Sequence, residues 1–63
     1  MYIPQVRERV QLAGRSGVFL VMWVDHESQE ADLISLQRAS SVEESVHFSK
    51  LEAYNENRLL KSA

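Results

Sequence analysis

Residues 14–25 read Gly-Arg-Ser-Gly-Val-Phe-Leu-Val-Met-Trp-Val-Asp. Two glycines bracket a tight turn, and seven apolar residues, 18–24, follow in a row. A run that short, rich in β-branched and aromatic side chains and closed by Asp25, reads as a β-strand rather than a helix. No other continuous apolar run of this length occurs, so the remaining elements must pair with this strand or pack against it. Seven apolar residues exceed what one strand face can hold. The expected strand is therefore bent, with Phe19 and Val21 inside, a bulge near Met22 and Trp23, and Val24 inside again.

On its N-terminal side, residues 6–12 alternate. Val6, Val10 and Leu12 share one face while Arg7, Arg9 and Gln11 take the other, the period of a half-buried strand. Gly14 and Gly17 follow at once, which excludes a helix and places a turn at residues 13–17. Residues 1–5 are a lead-in, with Pro4 at a strand start or edge.

On the C-terminal side, residues 25–29 have the polarity and length of a hairpin loop. A third strand is expected over residues 30–36, with Ala31 and Leu33 alternating against Glu30 and Asp32. A polar connection over 37–44 leads to a short fourth strand, 45–48, in which Val46 and Phe48 share a face. Residues 49–51 suit a single helical turn and 52–54 a last strand. Residues 55–63 are polar apart from Leu59 and Leu60, and a flexible tail is expected there.

A chain of 63 residues makes one domain near the lower size for independent folding. It has no cysteine, so neither a disulfide nor a thiolate metal site can brace it. One small core must suffice, and a closed barrel shares each core side chain among many contacts. The longest apolar run, seven residues, is far below the roughly 20 of a membrane helix. Met1-Tyr2-Ile3-Pro4 lacks the basic and apolar segments of a secretory signal, so a soluble, cytoplasmic protein is expected. The net charge of -2 is unevenly spread. Arg7, Arg9 and Arg15 face only Glu8 before residue 25, and carboxylates dominate from there on. This is not the strongly basic surface of an autonomous nucleic-acid binder.

Five short strands and one helical turn before the last describe an all-β, five-stranded SH3-like barrel over residues 6–54. Within it, Val10-x-Leu12-x-Gly14-Arg15-Ser16-Gly17-Val18-Phe19-x-Val21-x-x-Val24-Asp25, Ala31-Asp32-Leu33 and Val46-x-Phe48-x-x-Leu51-Glu52 resemble the KOW and Tudor group of small barrels. In that group a glycine-rich turn feeds the second strand, an acidic hairpin follows, and an apolar-x-apolar-x-x-Leu-Glu ending closes the barrel. The resemblance implies a protein-binding or RNA-binding module.

Candidate sites follow from these facings. Trp23, outward beside the bulge, is the candidate protein-contact residue; its bland alternative is to cover a barrel end. Arg7, Arg9 and Arg15 are the candidate contacts for RNA or DNA, an alternative expected to be weak because nearby carboxylates repel a polyanion. A methyl-ligand cage needs clustered aromatics. Phe19 and Phe48 belong to the core, and Tyr2, Trp23 and Tyr54 are dispersed along the sequence. His26 and His47 show no metal-ligand spacing, and no cofactor is expected. The chain lacks a nucleophile elbow and a phosphate loop followed by a helix, so no enzyme is expected. Plasmid-borne dihydrofolate reductases are also small SH3-like barrels. Where they carry Val-Gln-Ile-Tyr on the fourth strand, this chain has Val46-His47-Phe48-Ser49 and lacks the ligand-contacting glutamine and tyrosine.

Overall fold

The computed structural model describes residues 1–38 and 41–54. The expected tail at 55–63 lies outside the described residues. Five antiparallel strands form one sheet: β1 (Arg9–Leu12), β2 (Phe19–Asp25), β3 (Glu30–Ser35), β4 (Val42–His47) and β5 (Leu51–Ala53). A 3-10 turn over Phe48–Lys50 joins β4 to β5. The strand order is β4-β3-β2-β1-β5, which leaves the ladder open between its two edge strands among the described residues.

The open ladder is nonetheless curled. Five strands laid flat would hold their edges roughly 19 Å apart, whereas the link from His47 to Leu51 reaches about 14 Å at most. Those two residues also sit at opposite ends of β2, since His47 pairs with Glu30 and Leu51 with Leu12. The sheet must therefore curl between its edges. β2 carries a bulge of the kind that bends a strand: Val21 pairs with Leu33 and Trp23 with Asp32, so Met22 is the extra residue. Phe19 and Val21 are buried, Val24 packs against the core, and the expected facing of this strand holds.

The core consists of Val10 and Leu12 from β1, Phe19 and Val21 from β2, Ala31 and Leu33 from β3, and Phe48 and Leu51 around the 3-10 turn. Tyr2 and Val46 pack against it. Within the lead-in, Pro4 is fully buried, while Met1 and Ile3 are exposed.

The first strand is shorter than its alternation suggests. It starts at Arg9, and Val6 is 51% exposed instead of sharing the face of Val10 and Leu12. The cause is a turn closed by Glu8 N–H donating to the Gln5 carbonyl at 3.0 Å, with Arg7 at φ 75°. Arg7 N–H donates to Val21 O at 2.7 Å, and Val21 N–H donates to Glu8 O at 2.9 Å. That is the bonding of a bulge whose first residue is left-handed.

The fourth strand is longer than expected. It begins at Val42 inside the polar stretch, because Glu44 and Ser45 together face Asp32 as a second bulge and shift the alternation by one. Ser45, at φ 54°, donates its freed N–H to Asp32 Oδ1 at 2.9 Å. The 3-10 turn and β5 each start one residue earlier than the sequence suggests, at Phe48 and Leu51. His47 caps that turn, its Nδ1 accepting the Ser49 N–H at 3.1 Å.

Candidate functional site

Two surfaces carry the candidate residues. The first is the outer face of β2, β3 and β4. Leu20 pairs with Ile34 and Ile34 with Val42, so these three form one row across the sheet on the side opposite the core. Leu20 and Ile34 are half-buried and Val42 is exposed. The β2 bulge leaves Met22 52% and Trp23 64% exposed beside this row. A regular strand would have turned one of two successive side chains inward. The bulge exposes both, as the expected inward facing of Val21 and Val24 on either side of it implies. Arg9 pairs with Leu20 and flanks the row at its β1 end.

The second surface lies at the turn entering β2. Arg15 is held twice, by an ion pair to Glu43 at 2.9 Å and by its guanidinium 5.8 Å from the centre of the Phe19 ring. Glu43 pairs with Leu33 in the β3–β4 ladder, which puts it at the rim of the core side. Beside Arg15, Gln37 Oε1 accepts the Val18 N–H at 3.0 Å. It also sits where a Cβ on Gly17 would come within 2.7 Å, so the loop after β3 closes on that glycine. Ser35 Oγ accepts the N–H groups of Gln37 and Arg38 at 3.2 and 3.1 Å and shapes that loop. Neither Ser35 nor Gln37 carries a sequence signal that separates it from the other polar residues around it.

The three arginines do not form one stripe. Arg7 is in the turn before β1, Arg9 is the first residue of β1, and Arg15 lies beyond its far end, paired with Glu43. The period-two argument that joined Arg7 to Arg9 stops at the left-handed Arg7.

His26 packs edge-on against Phe48, with ring centres 6.2 Å apart. Among the described residues no group of three or more histidines and carboxylates could hold a metal ion. Nor is any helix among them long and apolar enough to cross a membrane. No protein-family model, curated protein or solved structure matches the chain.

Proposed function

We infer that this chain is an SH3-like barrel of the KOW/Tudor type acting as a small non-catalytic interaction module. Its outer sheet face, centred on Trp23, binds a protein partner in the cytoplasm. The strand order, the bent β2 and the single 3-10 turn before β5 support the barrel reading. The observation that carries the function is the bulge holding Met22 and Trp23 outward beside Leu20, Ile34 and Val42. Exposed aromatic and methionine side chains next to an apolar row are what a protein interface core uses.

The test is capture of partners on the immobilised domain, beside a Met22→Ser/Trp23→Ser double variant checked for unchanged melting. Partners should be retained in high salt and lost with the double variant, because apolar contact is insensitive to screening. Capture that disappears with salt or nuclease, and with an Arg7→Glu/Arg9→Glu variant, would replace this reading by a nucleic-acid-binding barrel using Arg7 and Arg9. For short single-stranded RNA or DNA the expected dissociation constant at physiological salt is no tighter than about 100 μM.

A further inference from the structure

A cleft of about 390 Å³ lies between the turn entering β2 and the loop leaving β3. Its polar lining is Arg15, Ser16, Ser35, Gln37, Arg38 and Ser41, over Gly17 and Phe19. Among the described residues no carboxylate lines it, in a chain whose nine acidic side chains outnumber seven basic ones. The hydrogen bonds already made there use up acceptors and leave donors. Gln37 spends Oε1 on the Val18 N–H, which leaves its Nε2 hydrogens to give. Ser35 is buried, and its Oγ accepts two backbone N–H groups, which occupies both lone pairs and leaves its own proton unspent. Arg15 uses Nη1 on Glu43, which is not a lining residue, and a guanidinium has five donors. Arg38 brings a second guanidinium.

We propose that this cleft binds the phosphate group of a small phosphorylated ligand, up to about the size of a mononucleotide. Arg15 and Ser16 line it from the turn entering β2, and Ser35, Gln37, Arg38 and Ser41 from the loop leaving β3, so donors stand on both sides. A tetrahedral dianion with three free oxygens can accept from several directions, whereas a planar carboxylate monoanion matches one fork. Glu43 at the rim disfavours an extended polyanion, so the ligand is a small molecule rather than a nucleic-acid strand.

The experiment is a titration of the uniformly 15N-labelled chain with inorganic phosphate and, separately, with acetate. Both run at roughly pH 7.5, where a phosphate monoester is mostly dianionic, and at constant ionic strength made up with chloride. Phosphate should give saturable shifts of the Gly17, Gln37 and Arg38 amides in the millimolar range, and acetate should bind at least about tenfold more weakly. Arg38 is exposed, so Arg38→Ala should melt like the native chain and weaken phosphate binding about tenfold or more. A 5′-mononucleotide should bind at least as tightly as phosphate at the same amides. Equal saturation by acetate would overturn the phosphate assignment. Shifts that fail to saturate, that spread equally to Arg7 and Arg9, or that persist in Arg38→Ala would overturn the site itself.

Discussion

Arg7 shows how one dihedral angle overrides a sequence pattern. A side chain at φ 75° costs about 1–2 kcal/mol relative to glycine, and glycine in the unfolded chain costs about 0.5–1 kcal/mol in return. Arg7→Gly is therefore expected to be neutral or stabilising by up to about 1 kcal/mol in urea denaturation. A clear loss of stability would mean that the arginine side chain makes a contact worth more than its strain. Tyr2 gives the other residue-scale prediction. Its hydroxyl is buried near the Glu8 carboxylate but makes no hydrogen bond within 3.5 Å among the described residues. Burial pushes the phenol well above its ordinary range, and the neighbouring Glu8 carboxylate pushes the same way. Below about pH 10 both folded and unfolded chains keep the proton, so the group adds no pH dependence. Above it the unfolded chain loses the proton first, and stability falls as pH rises. Tyr2→Phe should melt at or above the native temperature near neutral pH, because an unpartnered polar group is removed. It should also lose less stability than the native chain between neutral pH and about pH 11. A parallel fall in both chains would show that other groups drive the alkaline loss.

At the scale of elements, the turns and bulges decide where each strand starts and which way it faces. Gly14 and Gly17 both have positive φ, 77° and 95°, but their surroundings differ. Nothing lies within 4 Å of a Cβ at Gly14, so Gly14→Ala should cost only the backbone strain less the gain in chain stiffness, about 0.5–1 kcal/mol. At Gly17 the added carbon meets Gln37 Oε1 at 2.7 Å and must displace the side chain that caps the Val18 N–H. Gly17→Ala should cost about 2 kcal/mol by the same strain plus the lost hydrogen bond. Urea midpoints of the two variants compare them directly, and equal losses would refute the clasp by Gln37. The Arg15–Glu43 pair nearby is exposed enough that its removal should matter less than either glycine.

For the whole molecule, the small core leaves little margin. Phe19, the first residue of β2, is buried between its partners Val10 and Ser35, and its replacement by alanine should cost about 3–5 kcal/mol. A domain of this size has little more than that to lose, so Phe19→Ala should be largely unfolded at room temperature. Trp23→Ala, only four residues on, should change stability by less than about 1 kcal/mol because most of that side chain is already in water. Amide dispersion in the NMR spectrum distinguishes the two. A folded Phe19 variant or an unfolded Trp23 variant would reverse the assignment of core and outer face.

The apolar run and the glycines at 14 and 17 by themselves determined an all-β chain organised around a bent second strand. Period-two burial is a local property, so Phe19, Val21, Ala31, Leu33 and Phe48 could be placed in the core before any contact was known. The same rule misjudged Val6 and residues 42–44, because left-handed residues at Arg7 and Ser45 shift the alternation. An arginine or a serine does not announce a positive φ as glycine does. The tertiary structure alone decided that Arg15 is bound to Glu43, 28 residues away. It alone gathered the Arg15 and Arg38 cleft. Those facts depend on which strands meet and in what register, and register is set by the turns, the bulges and the curl of the sheet together rather than by any one segment.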